Sequence, residues 1–334
     1  MEHQHQDTNS LLETLPETIL GHVDTFGALK HQRRYFATES SNGILDYPRM
    51  IRNNLKFALF AIYPAASPYQ ILSGIDEWLQ QIDNPASHLF HVKNIEDFEK
   101  VKKIDKIGAI MHTEGAGGYD SELKSLRLAY KLGLRSTGIT WANVNQFGTG
   151  FLFRSEQVED RGLTAEGRNF VREAQRLGIT IDVSHLNDCS FWDVMEITQK
   201  PIMASHSNAR AVCNIGRNLN DDQIRTIYEN HGVIGLNWGT TFLDPKVKVE
   251  DLFKSDPKIG FDVILKHINH IVSLTDINTI AIGSDYDGIK IPECLNSADK
   301  MPKFYQYLLD NGYSKQDLEK ITFGNFYRLF SQTW

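Results

Sequence analysis

ITIDVSH (179–185) and PIMASHS (201–207) are two short apolar runs that each close on Ser-His, with enough chain between them for one helix. Their β-branched, nearly unbroken apolar character fits strands covered on both faces, as in a parallel sheet joined by crossover helices. The same unit recurs outward in both directions. Upstream lie TILGHVDTF (18–26), FALFAIYPA (57–65), KIGAIMHTEG (106–115) and RSTGITWA (135–142); downstream lie GVIGLNWG (232–239) and TIAIGSDYDG (279–288). Eight such runs separated by amphipathic stretches predict an α/β fold of the (β/α)8, TIM-barrel type rather than an open doubly wound sheet, the structural alternative. No low-complexity linker or fixed-period repeat divides the chain. Residues 1–334 therefore read as one barrel domain, with 1–16 a loosely ordered extension.

The intervening segments carry helix signals. Ser121 is read as the cap of a helix ending at Gly133, with Leu123, Leu126 and Tyr130 on one face. Thr164 caps a second helix, with Phe170, Val171, Ala174 and Leu177 inward and Gly178 just past its end. Ser314 and Asp317 form a capping box ahead of Leu318 and Ile321.

Bulk properties narrow the partners. Lys and Arg number 35 against 42 Asp and Glu, a formal charge of −7. That balance lacks the basic face of a nucleic-acid binder, and a small-molecule partner is the better expectation. The three cysteines, Cys189, Cys213 and Cys294, form no CxxC pair, which suggests a reducing compartment. The first residues lack a basic segment followed by an apolar one, and no window is long and apolar enough to span a bilayer. A cytoplasmic protein without a membrane anchor is expected. His3 and His5 are read as residues of a frayed terminus, not as ligands.

A barrel demands that functional residues sit at the C-terminal ends of its strands. The runs end in His22-Val23-Asp24, His112-Thr113-Glu114, Ser184-His185, Ser205-His206 and Ser284-Asp285-Tyr286-Asp287. His22 and Asp24, two apart on a strand, point to one face. Glu114 follows an apolar run, where an unpaired carboxylate is heavily penalised; a cation would offset that, and the competing explanation is a salt bridge to Arg135 or Arg217. His185 and His206, taken singly, also fit hydrogen-bonded core residues. Together, three imidazoles and two carboxylates from four strand ends form a donor set suited to zinc, and also to Mn, Co or Fe. Five donors exceed the needs of one open tetrahedral zinc and suit two metals sharing a bridging carboxylate. Trp238 and Tyr286 are read as barrel packing, with pocket lining the alternative.

The chain resembles the membrane (renal) dipeptidase family of metallopeptidases, within the amidohydrolase superfamily, from GHVDT (21–25) to GYSKQDLEKITFGNFYRLF (312–330). The most specific pieces are GLTAEGRNFVREAQRLGITIDVSH (162–185), ASHSNARAVCNIGRNLND (204–221) and IAIGSDYDG (280–288). The resemblance implies a dinuclear zinc hydrolase that cleaves dipeptides, tolerates a D-residue at the C-terminal position and uses a metal-bridging hydroxide as nucleophile. It implies His22 and Asp24 on the first metal, Glu114 bridging both, and His185 and His206 on the second. Arg217 would bind the substrate carboxylate, as its permanent charge and forked geometry suit; a structural ion pair to Asp221 or Asp222 is the alternative. Asp285 would exchange protons with the water and the leaving amine, near the substrate amine. The resemblance also implies a homodimer.

The chain departs from the family at Ile139-Thr140-Trp141, where the usual histidine is replaced by Trp141, whose indole N–H can donate but supplies no cation. Gly216 and Thr279 are further departures. Two other readings stay open at this level: a different hydrolase of the superfamily, such as a lactonase or phosphoesterase, and a catalytically impaired metal-binding homologue kept in view by Trp141.

Overall fold

The computed structural model describes residues 14–152, 161–247 and 258–334. Most of the expected N-terminal extension, including His3 and His5, lies outside the described residues. The described residues form nine parallel strands: β1 (Ile19–Val23), β2 (Phe57–Ile62), β3 (Leu89–His91), β4 (Ile107–Thr113), β5 (Leu134–Gly138), β6 (Thr180–Asp182), β7 (Met203–Ala204), β8 (Val233–Asn237) and β9 (Ile280–Tyr286). Eight of them close a ring, each paired to the next in chain order from β4 to β9, with β9 on β1, β1 on β2 and β2 on β4. The closing pairing runs from Phe57 opposite Gly108 to Ile62 opposite Thr113, which excludes the open sheet. The ninth strand, β3, was not anticipated. Its three residues flank the lower part of β4, Leu89 opposite Ile107, and Leu-Phe-His is too short to carry a strand period of its own.

Side-chain alternation sorts the barrel into two apolar regions. Phe57, Leu59 and Val233 fall in one cluster, while Ala58, Phe60, Ile62, Ile234 and Leu236 pack outward in another with the surrounding helices. The inner cluster also takes in Ile19, Ile110, Met203 and Ala281, with Phe326, Leu329 and Phe330 of the C-terminal helix Asn325–Thr333. That helix closes the N-terminal end of the barrel with apolar side chains, leaving the opposite end for polar groups. Trp238 and Tyr286 are fully buried, and Trp238 stands edge-on to Phe304 at 5.4 Å between ring centroids. Their role is packing.

Thr164 Oγ1 accepts from the Gly167 N–H at 3.0 Å, and Gly178 ends that helix with a φ of 86°. The box of Ser314 and Asp317 is present in both directions. The cap expected at Ser121 is not. Helix Lys124–Leu132 starts after Leu123, and the Asp120 carboxylate takes the Lys124 and Ser125 N–H groups at 3.1 and 2.8 Å. A carboxylate one residue earlier reaches two free amides, and its charge suits the helix start. Among the described residues no helix is long and apolar enough to cross a membrane, and none of the three cysteines is in a disulfide.

Close strand approach inside the barrel depends on glycine. A Cβ on Gly235 would lie 2.1 Å from the Ser205 carbonyl oxygen and 2.8 Å from Gly283 Cα. Neither neighbour is a flexible side-chain tip. Gly235→Ala is therefore expected to cost about 1–3 kcal/mol through overpacking, read as a lower denaturant midpoint with an unchanged far-ultraviolet spectrum.

Candidate metal centre

Each candidate ligand sits where the chain leaves the barrel at its C-terminal end. His22 is on β1, and Asp24 opens the helix Thr25–Gln32. Glu114 follows β4; His185 and His206 lie just beyond β6 and β7; Asp285 is on β9. Four residues of this rim, His185, Ser284, Asp285 and Asp287, hold φ angles of 71, 74, 71 and 66°. Non-glycine residues avoid this left-handed region, and such strain persists only where surrounding structure enforces it. Here it turns the side chains of His185 and Asp285 across the mouth.

All five residues expected as ligands converge. The Nε2 atoms of His185, His206 and His22 stand 2.9, 3.4 and 3.7 Å from one oxygen, Glu114 Oε1. His22 Nε2 is 3.4 Å from Asp24 Oδ2, and His185 Nε2 is 3.0 Å from His206 Nε2. Donor atoms of His22, Glu114 and His206 lie mutually within 4.8 Å, as do those of His22, Asp24 and Asp285. Asp285 thus joins the cluster, and His22 belongs to both groups of three. The salt bridges weighed for Glu114 are absent: Arg135 donates instead to the carbonyls of Lys93, Tyr130 and Leu134, and Arg217 donates to Ser207 and His206.

The electrostatics are those of a site short of positive charge. Burial pushes the Glu114 carboxyl up to about 8, with His22 opposing it. Burial also pushes Asp285 up to about 6. His22 is raised to about 10, because Glu114 and Asp24 together outweigh the burial that would lower it. Burial drives His185 and His206 well below the usual imidazole range, and the nearby Arg217 and His22 charges act in the same sense.

The donors fit divalent metal. Both ring nitrogens of the buried His22 lack a hydrogen-bond partner, as does Nδ1 of His185. Unsatisfied buried nitrogens are costly, and a cation among carboxylate and imidazole donors removes that cost. The nitrogen-oxygen set, without thiolate, suits zinc.

A cavity of about 470 Å3 opens over the cluster. Asp24, Glu114, His185 and Asp285 form its polar floor, and Tyr63, Trp141, Phe242 and Ile289 contribute apolar wall. Trp141 is angled between Tyr63 and His185, with centroids 5.2 and 6.0 Å away. Arg217 lies behind this wall, 3% exposed, its guanidinium carbon 5.6 Å from the Phe242 centroid. Ser207 Oγ and the His206 carbonyl hold it at 2.8 and 2.9 Å, while its Nε has no partner. Neither alternative partner claims it: Asp221 pairs with His270, and Asp222 with Arg225.

Two further residues of this end were given no role from the sequence. Asn237, at the end of β8, donates to Asp285 Oδ2 at 2.8 Å. His112, fully buried, contacts Ser136 Oγ at 3.0 Å and meets the His22 ring edge-on. The position of Asn237 at a strand end was the available signal; an amide draws less notice there than an acid or imidazole.

Comparison with known proteins agrees with this geometry. The chain matches the membrane dipeptidase family, peptidase family M19, over residues 5–333. It is similar to a metallopeptidase from Rhodobacter sphaeroides solved with a phosphinate mimic of the dipeptide L-Ala-D-Ala, at 28% identity and a TM-score of 0.85, covering 96% of this chain and 100% of that one. Dipeptidase AC, also a metallopeptidase, gives 30% identity and a TM-score of 0.85, covering 96% and 99%. An uncharacterized Klebsiella pneumoniae protein from the pqqA 5′ region is 34% identical over 257 residues, 76% of this chain and 93% of that protein. Fold, acid–imidazole cluster and family match coincide, and we conclude that the chain belongs to the membrane dipeptidase family, as a hydrolase of the metallo-dipeptidase type.

Proposed function

We propose that the protein is a dizinc dipeptidase that hydrolyses the single peptide bond of dipeptides and accepts a D-residue at the C-terminal position. The observation that carries this reading is the meeting of three Nε2 atoms at one oxygen of Glu114, with neither nitrogen of the buried His22 in a hydrogen bond. His22 and Asp24 would hold one zinc, His185 and His206 the other, and Glu114 both. Two such ions would supply Lewis acidity and lower the pKa of a water toward neutral pH.

The remaining chemistry falls to the chain's own residues. Asp285 reaches the cluster from β9 and is held by Asn237. It accepts a proton as the attack begins and returns it to the leaving amine, and its carboxylate also draws the substrate ammonium. Arg217 is buried and aimed by Ser207 and the His206 carbonyl. Its charge attracts the substrate carboxylate, and its fixed position favours one substrate orientation. Trp141 and Tyr63 shield the reacting centre from water. The D-residue tolerance rests on the neighbour bound to a mimic of L-Ala-D-Ala.

Protein prepared with excess zinc is expected to carry about two zinc atoms per chain by elemental analysis and to cleave L-Ala-D-Ala and L-Ala-L-Ala. Glu114→Ala should abolish turnover and loosen both ions; full activity in that variant, or an active metal-free enzyme, contradicts the reading. Arg217→Ala should lower kcat/KM for dipeptides roughly 10–100-fold, the worth of a hydrogen bond to a charged group. Undiminished turnover of a substrate lacking a carboxylate would favour a lactonase or phosphoesterase instead. Asn237→Ala should lower kcat about tenfold or more by freeing Asp285, with zinc content unchanged.

A further inference from the structure

Behind His206 lies a buried carboxylate to which neither the chemistry above nor the family match gives a role. Asp182 ends β6, three residues before His185, and is 1% exposed. Its Oδ1 accepts the backbone N–H groups of Ser184 and Ser205 at 3.0 and 2.9 Å. Its Oδ2 accepts the Ser205 hydroxyl at 2.5 Å. The same Ser205 Oγ stands 2.7 Å from His206 Nδ1. His112 Nε2 is 3.6 Å from Oδ2, beyond direct hydrogen bonding.

Counting hydrogens settles the direction of this chain of bonds. A carboxylate only accepts, and a serine hydroxyl has one hydrogen to give. That hydrogen goes to Asp182, so Ser205 Oγ can only accept from His206, and His206 Nδ1 must carry the proton. Nε2 is then a bare lone pair, and it is Nε2 that stands 3.4 Å from Glu114 Oε1 and 3.0 Å from His185 Nε2. The opposite tautomer would aim an N–H at Glu114 and compete with a cation for that oxygen.

We propose that Asp182, acting through the Ser205 hydroxyl, fixes His206 as its Nδ1–H tautomer and so keeps the Nε2 lone pair turned toward the metal cavity. Asp182 and Ser205 are positioning residues, two steps and one step removed from the metal. The inference rests on the reading of His206 as a metal ligand. Outer partners that set the tautomer of a ligating histidine typically contribute 10–100-fold in metal affinity. The segment 182–185 therefore has two jobs: His185 faces the cavity directly, and Asp182 orients the imidazole of the next strand.

Two variants test this. In Asp182→Asn, with Oδ1 keeping its backbone donors, the amide nitrogen replaces Oδ2 and donates to Ser205. The Ser205 hydrogen must then turn to His206 Nδ1, which reverses the tautomer. In Ser205→Ala the link is removed while Asp182 keeps both backbone donors, so this variant decides the question should Asp182→Asn fail to fold. The measurements are zinc affinity by chelator competition with zinc alone, and the protonated ring nitrogen of His206 by long-range 15N–1H correlation in zinc-free, histidine-labelled protein. The expected result is Nδ1–H in the wild type, a shift toward Nε2–H in the variants, and about 10–100-fold weaker binding of one zinc with an unchanged circular dichroism spectrum. A wild type that binds two zinc ions beside a folded Ser205→Ala variant of equal affinity overturns this inference alone, as does an Nε2–H His206 in the wild type. A wild type that binds no zinc overturns the metal reading and this inference with it.

Discussion

One oxygen atom organises the open end of this barrel. Glu114 Oε1 is the meeting point of three imidazole nitrogens, each delivered by a different strand end. Buried 94%, beside three histidines and the acids Asp24 and Asp285, the carboxylate is pushed toward its neutral form, while His22 is pushed toward its charged one. Such an arrangement is unfavourable for protein atoms alone. Divalent cations would relieve it by taking the lone pairs that face one another. The eight-stranded ring, the backbone turns at His185 and Asp285, and the glycines that let β8 and β9 approach Ser205 all serve to hold these donors together.

The barrel divides the burden between its two ends. Apolar side chains from the strands and from helix Asn325–Thr333 fill the end opposite the site, supplying burial that does not depend on metal. At the site end, stability gives way to preorganisation: polar atoms lack partners, backbone angles are strained, and aromatic rings wall the cavity. This is the usual partition in barrels of this class, whose N-terminal face stabilises and whose C-terminal face reacts. Trp141, expected from sequence as a departure from the resembled family, lies in the cavity wall and not within the acid–imidazole cluster.

Much of this was legible in the sequence because strands buried on both faces announce themselves as apolar runs, and an ionisable residue at the end of such a run stands out. His22, Asp24, Glu114, His185, His206 and Asp285 were singled out in that way, and closure of the barrel brings them together. Residues whose role depends on a neighbour were not found. Asn237 matters because Asp285 is beside it, and Asp182 because Ser205 lies just past the next strand; neither relation has a signature within one segment. Strand β3 exists because the edge of β4 is available to Leu89–His91, a tertiary cause that three residues do not encode. The cap at Asp120 in place of Ser121 is a lesser miss of the same kind, since both residue types suit the position and the path of the chain decides.

The central claim is that Glu114 lies between two cations. A crystal grown with zinc and measured on both sides of the zinc absorption edge tests it most directly. Two anomalous peaks about 3.5–4 Å apart are expected, one on each side of the Glu114 carboxylate, with His22 and Asp24 at one and His185 and His206 at the other. A single peak, or none, with Glu114 turned away from the histidines, would contradict it.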